Sequence, residues 1–150
     1  MSLISGLAQD IFENELASTG ATLVGVSGWL NENIGSLNIV LNTQFSGENG
    51  DIANFNLEEQ DIYKEMYLHH YYKKQARNAL INIVNDNSGN ILSVRDGDNS
   101  ITFVNKNEVS KLYRGLASDS HNKINEMVYK YNAYRGSPRQ VGGIEASGLY

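Results

Sequence analysis

The three histidines are the side chains best suited to hold a metal ion, and their positions argue against one. His69 and His70 are consecutive, His121 lies far along the chain, and there is no HExxH pattern. Consecutive residues on a helix point about 100° apart, so His69 and His70 cannot bind one ion together. We therefore expect partly buried or surface histidines and no metal ligands.

Asp119, Ser120 and His121 include the residue types of a hydrolase triad. Consecutive positions on a helix fan out, however, so these side chains cannot line up as orienting acid, nucleophile and base. The sequence also lacks a GxGxxG motif after a strand and a Walker lysine loop. Because no acid, base and nucleophile converge, we expect no catalytic activity and no cofactor.

Asp96, Asp98 and Ser100 alternate as the first ligands of a calcium loop do. The sixth position of such a loop needs glycine and is Ile101, and the twelfth needs glutamate and is Asn107. An EF-hand is thereby excluded, whereas weak calcium binding stays open.

The composition favours one soluble domain. The chain has 150 residues, 41% of them hydrophobic, and no cysteine, which excludes disulfides and thiolate metal sites and is compatible with a reducing cytoplasm. No apolar run approaches the roughly 18 residues that would span a membrane. The first residues, MSLISGLAQDIFENEL, lack the basic start of a secretory signal.

Charge is distributed unevenly along the chain. The first base is Lys64, so residues 1–63 carry nine acids and no base, whereas the remainder has eight acids and twelve bases. One interpretation is chance together with solvated helix faces. The other is that the acidic part of one molecule faces the basic part of the next. A net charge of −5 argues against a dedicated nucleic-acid binder.

Two long amphipathic helices are the clearest elements. Asn56 and Glu59 form a capping-box variant before a helix over residues 57–83, and Asn105 with Glu108 repeats it before a helix over residues 106–134. The first helix repeats its inward positions every three or four residues, namely Ile62, Met66, His69, Lys73, Ala76, Leu80 and Ile83. The second does so with Val109, Leu112, Tyr113, Leu116, Ser120, Ile124, Met127, Val128 and Tyr131.

Shorter elements precede the long helices. The spacing of Leu3, Leu7 and Ile11 predicts a helix over residues 2–16, followed by a connector over residues 18–26. Ser27 is the expected cap of a second helix, which would bury Trp29, Leu30 and Ile34 and end near Gly35. Residues 36–45 are compatible with either strand or helix, and residues 46–56 read as a polar loop.

These patterns together predict a mainly α fold. Helices joined by about 22 residues should pack antiparallel, as one long hairpin. Between them, residues 91–94 and 101–104 flank RDGDNS and predict a small β-hairpin-like turn. We expect a helical domain over residues 1–134 and a different kind of segment over residues 135–150.

The final 16 residues, RGSPRQVGGIEASGLY, hold four of the 14 glycines and the only proline. A frayed terminus is one interpretation. The other is an extended arm that becomes ordered on a partner. Such an arm would be anchored through Val141, Ile144, Leu149 and Tyr150.

In order and spacing, three segments resemble the head-to-tail connector, or adaptor, proteins of tailed bacteriophages. They are EEQDIYKEMYLHHYYKKQARNAL (residues 58–80), RDGDNSITFVNKNEVSKLYRGLA (residues 95–117) and the PRQV that starts at Pro138. The resemblance covers roughly residues 27–141, and each segment alone is unspecific. Residues 1–26 and the final GGIEASGLY match nothing in the family pattern.

The resemblance implies a ring, usually a dodecamer, in the neck of a virion assembled in the host cytoplasm. Such a ring docks under the portal protein after DNA packaging and receives the next neck or tail protein. It implies that residues 135–150 are the portal-binding arm, with Arg135, Pro138, Arg139, Val141, Ile144, Leu149 and Tyr150 as its candidate contacts. The turn formed by Arg95, Asp96, Gly97, Asp98 and Ser100 would then meet a neighbouring subunit or the next ring.

Viral DNA would pass through this channel without sequence-specific binding, and no membrane would be involved. The acidic first 63 residues would help to line the channel, because like charges do not adhere. A stopper or tail terminator of the same neck stays open, as does a small helical binding or regulatory module. An enzyme is the remaining alternative, and no group of side chains favours it.

Overall fold

The computed structural model describes residues 4–17, 19–45, 55–85, 93–97, 99–102 and 106–136. The predicted mainly helical fold is confirmed. The described elements are α1 (Ile4–Glu15), α2 (Leu23–Glu32), α3 (Ile34–Leu41), α4 (Leu57–Asn85), β1 (Ser93–Asp96), β2 (Asn99–Thr102) and α5 (Lys106–Gly136). None of the helices in these ranges is long and apolar enough to cross a membrane.

Helix α2 begins earlier than the sequence suggested. Thr22, not Ser27, is its N-cap, and the Thr22 hydroxyl accepts a hydrogen bond from the Gly25 amide at 3.1 Å. Gly20 precedes this cap with φ of +78°, a backbone conformation that glycine adopts without strain. Part of the predicted connector is therefore the first turn of a helix. The inward positions were predicted well, because Leu30 and Ile34 are buried and Trp29 is partly buried.

Residues 36–45, left open by the sequence, are mostly helical. Helix α3 follows α2 after the single residue Asn33, and Gly35 lies inside α3, so the prediction that Gly35 ends a helix was wrong. Asn42 ends α3 in the left-handed conformation, with φ of 55°. The Asn38 side chain then holds the next residues, donating to the Phe45 carbonyl at 2.7 Å and accepting from its amide at 2.8 Å.

The predicted capping box of α4 is present and reciprocal. The Glu59 amide donates to the Asn56 side chain, and the Asn56 amide donates to the Glu59 carboxylate, both at 3.0 Å. Two amides that lack partners within the helix are satisfied in this way. Helix α4 has 29 residues, which corresponds to about 43 Å.

Helices α4 and α5 contact each other at four levels, and the contacts run in opposite order along the two helices. The contacts are Ser110 Oγ with the Ala76 carbonyl (3.1 Å), His69 Nδ1 with the Ala117 carbonyl (2.8 Å), Lys123 with Glu65 (3.1 Å) and Tyr131 with Glu59 (2.8 Å). Residue numbers rise on one helix as they fall on the other, so the two helices are antiparallel where they touch.

The buried face of α5 differs from the predicted one. Ile124 and Ser120 are buried as expected. In the first half of α5, however, the interface with α4 is made by Ser110 and Ala117, which are also buried. Leu112 and Leu116, predicted to point inward, are exposed. The small side chains allow the helix backbones to approach, and this rotates the two leucines away from α4.

The hydrophobic core lies on the opposite side of the first half of α4, under α1, α2 and α3. Tyr63 is fully buried there, and its hydroxyl donates to the Leu30 carbonyl. Trp29 packs against Tyr63 and Tyr67, with ring centres 5.9 and 5.4 Å apart. Helix α4 is thus buried on two faces, whereas periodicity had indicated one stripe. Each large apolar side chain in such a core contributes about 1.5–3 kcal/mol.

Candidate functional site

The turn between the long helices contains the residues that the sequence assigned to an intersubunit or next-ring contact. Strands β1 and β2 pair antiparallel, with Arg95 opposite Ser100 and Asp96 opposite Asn99. Gly97 turns the chain with φ of +58°. Asp96 and Ser100 therefore stand on different strands, which is not the arrangement of a calcium loop. Asp98 lies outside the described residues.

Arg135, the first residue assigned to the portal-binding arm, lies in the last turn of α5. Its Nη1 donates to the Leu41 carbonyl at 3.0 Å and to the Tyr131 hydroxyl at 3.3 Å. The guanidinium also lies 5.4 Å from the centre of the Tyr131 ring. Arg135 thus fastens α5 to α3. The other arm candidates, Pro138, Arg139, Val141, Ile144, Leu149 and Tyr150, lie outside the described residues.

Glu59 and Tyr131 complete the junction at this end of the helices. The Tyr131 hydroxyl donates to the Glu59 carboxylate at 2.8 Å. Burial first, and then the hydrogen bond to Glu59, raise the pKa of the Tyr131 hydroxyl. Asn132 adds a bond to the Val40 carbonyl at 3.0 Å. The beginning of α4 and the ends of α3 and α5 are joined here by polar contacts that periodicity could not reveal.

A cavity of about 1040 Å³ opens beside this junction. Charges of both signs line it, including Glu58, Asp61 and Lys130. Among the residues that line it, none is a serine, cysteine or histidine.

Large apolar side chains are exposed in the halves of α4 and α5 that lie away from the core. Leu112 and Leu116 are 69% and 44% exposed, and their spacing of four puts them on one face of α5. Leu80 and Ile81 of α4 are 39% and 48% exposed. Exposed leucines in a cluster, unlike scattered ones, mark surfaces that bind other proteins.

Bases accompany these side chains on α4. Lys73, Lys74 and Arg77 are all exposed. Burial is the main cause that lowers the pKa of His70, and the nearby charges of Lys74 and Arg77 lower it further. The second half of α4 therefore presents a group of exposed bases.

The acidic amino-terminal part is not free of bases in the folded chain. Lys64 reaches α1, where its ammonium lies 3.0 Å from Glu15 and 3.7 Å from Asp10. Burial is the largest single influence on the pKa of Lys64 and lowers it. The hydrogen bond to Glu15 and the charges of Glu15 and Asp10 together outweigh burial, so the pKa of Lys64 is raised. Part of the charge asymmetry seen in the sequence is therefore neutralised within the molecule.

The histidines and the group Asp119, Ser120 and His121 all lie on the two long helices. Ser120 is buried while Asp119 and His121 are exposed, so the three do not converge. His69 and His121, which the sequence placed on separate helices, come together with ring centres 5.5 Å apart. Within the described ranges, no group of three or more His, Cys, Asp and Glu side chains is placed to hold a metal ion.

Comparisons of the chain with protein-family models, with curated proteins and with solved structures find no match.

Proposed function

We propose that this chain is a structural, non-catalytic subunit of a bacteriophage neck, where copies form a ring between the portal and the next neck or tail protein. The observation that carries the proposal is the exposed apolar surface of the paired long helices, with Leu112 and Leu116 on one face of α5. A helical pair that leaves leucines exposed on one face is suited to pack against copies of itself.

The order of the segments that resemble phage adaptors supports the same proposal. The EEQDIYKEMYLHHYYKKQARNAL segment lies within α4, and RDGDNSITFVNKNEVSKLYRGLA runs from β1 into α5. In the proposed ring, the α4–α5 pair forms the wall, and the turn at Gly97 faces a neighbouring subunit or ring. Residues beyond Gly136 form the arm that binds the portal.

The solution mass tests this proposal directly. Light scattering on the purified chain, with and without a portal ring, should give a mass many times the 16.6 kDa of the monomer. Electron micrographs of the same sample should show rings. A monomer that persists at high concentration in the presence of the portal would contradict the proposal.

Paired substitutions locate the surface. Leu112→Glu with Leu116→Glu should abolish the large species, because two buried charges without partners cost several kcal/mol each. The matched control is Val24→Glu with Ile39→Glu, which changes two residues that are 82% and 81% exposed on α2 and α3. Both double variants should keep the helical circular dichroism spectrum. Equal loss of assembly in both would show that general charge, not the α5 face, is responsible.

A small helical binding module is the second candidate, favoured by the same exposed face. In that case a partner helix, not another copy, would cover Leu112 and Leu116. A monomer or dimer that binds such a helix stoichiometrically would support the module. Turnover of any substrate that disappears in a His121→Ala variant would favour an enzyme over both.

A further inference from the structure

We propose that His69 and His121 together form a binding site for a divalent ion that prefers imidazole ligands, such as Zn²⁺, and that the ion links α4 to α5. The site goes beyond the proposed ring function and does not depend on it. The pairing of the helices creates it, since 52 positions separate the two histidines in the sequence.

A hydrogen bond to the backbone fixes the ring of His69. Its Nδ1 lies 2.8 Å from the Ala117 carbonyl, and a carbonyl oxygen only accepts, so Nδ1 carries the proton. The other ring nitrogen, Nε2, is then left with a lone pair. Histidines that bind metal commonly donate their second N–H to a backbone carbonyl in this way, which fixes the ring.

The separation of the two rings suits one shared ion. Two imidazole nitrogens, each about 2.0 Å from a tetrahedral Zn²⁺, place the ring centres about 5 Å apart. The observed separation between His69 and His121 is 5.5 Å. His121 is exposed, so a small rotation of its side chain is unhindered.

Asn125 stands next to His121 on the following turn of α5. Its Nδ2 lies 3.2 Å from His121 Nε2, which assigns a lone pair to that nitrogen as well. On metal binding, rotation of the Asn125 amide would release this nitrogen, and water would complete the coordination. A site with two histidines and water differs from the closed four-ligand sites that stabilise zinc fingers.

The helix pair is braced on both sides of the histidines. Ser110 contacts Ala76 on one side, and Lys123 contacts Glu65 on the other. These contacts join α4 to α5 on either side of the site. Binding to helices that are already paired requires mainly side-chain rotation, which keeps its entropic cost small.

Isothermal titration of the metal-free, full-length chain with ZnCl₂ tests the site. One Zn²⁺ per chain should bind, raise the Tm and shift the ring ¹⁵N signals of His69 and His121. His121→Ala should weaken the affinity by about tenfold or more and abolish the rise in Tm. His70→Gln is the matched control, because His70 stacks on Trp29 at 5.1 Å, away from the site, and it should leave the affinity unchanged.

Three results would overturn the site: no Zn²⁺ binding, full affinity in His121→Ala, or equal loss in His70→Gln. If His69→Ala fails to fold, His121→Ala and the ¹⁵N signals still decide, since His121 is exposed. Light scattering with and without Zn²⁺ separates this site from the ring proposal. A chain that forms rings but binds no Zn²⁺ would refute the site alone.

Discussion

Glu59 joins three parts of the molecule through one buried carboxylate. One oxygen accepts from the Asn56 amide and the other from the Tyr131 hydroxyl, while the Glu59 amide is held by Asn56. Tyr131 is in turn bound by Arg135. Hydrogen bonds to a charged group contribute more than neutral ones, about 1.5–3 kcal/mol each.

Replacing Glu59 by alanine tests its weight in the fold. Glu59→Ala removes the carboxylate half of the capping box and leaves the Tyr131 hydroxyl without its acceptor, so the free energy of unfolding should fall by about 2 kcal/mol. Glu58→Ala is the control and should change it by no more than about 0.5 kcal/mol, since Glu58 is exposed. Urea unfolding measures both. Equal effects would show that helix-dipole charge, not the buried bonds, dominates.

His70 makes the stability depend on pH. Burial lowers its pKa in the folded chain below the ordinary value of 6.5, so the unfolded chain binds a proton more readily. The free energy of unfolding should therefore decrease as the pH falls below about 6.5, and the contribution is regained above it. His70→Gln should flatten this decrease in urea titrations between pH 7.5 and pH 5. If His70→Gln left the pH dependence of the free energy of unfolding unchanged, other groups would be its cause.

At the scale of elements, the sequence predicted the long helices because their capping and periodicity are local signals. The Asn56–Glu59 capping pair marks the start of α4 without any information from tertiary packing. The cap of α2 was missed because serine ranks above threonine as a capping residue, which favoured Ser27 over Thr22. The burial of Val26 and Leu30 in the core, which depends on tertiary packing, favours the earlier start.

The faces of α5 were predicted only in part, for a related reason. Periodicity ranks leucine above serine and alanine as an inward residue, which placed Leu112 and Leu116 in the interface. Close approach of two helices instead selects Ser110 and Ala117, whose small volume no hydrophobicity pattern rewards. The contact of His69 with His121 is beyond local prediction as well, because it depends on the relative register of α4 and α5.

A small-to-large substitution checks the close approach. Ala117→Leu should lower the free energy of unfolding by about 1–3 kcal/mol, because the added volume has no space between α4 and α5. Its neighbour Ser118 is exposed, so Ser118→Leu is the control and should be nearly neutral. Thermal unfolding followed by circular dichroism measures both. A neutral Ala117→Leu would mean that the helices pack more loosely than the His69–Ala117 distance implies.

At the scale of the whole molecule, helix α5 extends to Gly136, so the proposed arm would begin after that residue. Arg135 is part of the fold through its bonds to Leu41 and Tyr131, so deletion from Arg135 onward would damage α5 itself. Deletion of residues 137–150 spares these bonds. The two truncations therefore separate an arm that binds a partner from a helix end that supports the fold.

We expect the chain truncated after Gly136 to keep its Tm within a few degrees and to lose binding to a portal ring in sedimentation assays. Arg135→Ala in the full chain should do the reverse, lowering the Tm while leaving the arm in place. Truncation without loss of binding would contradict the arm proposal.

The attachment of α5 to α3 also determines how the molecule would bear mechanical load. A pull on residues beyond Gly136 is passed through Arg135 and Asn132 to the carbonyls of Leu41 and Val40. Tension would then be shared with the amino-terminal helices and would not fall on the last turn of α5 alone. In the proposed neck ring, such a tether would carry strain at the tail to the core as shear across several bonds at once.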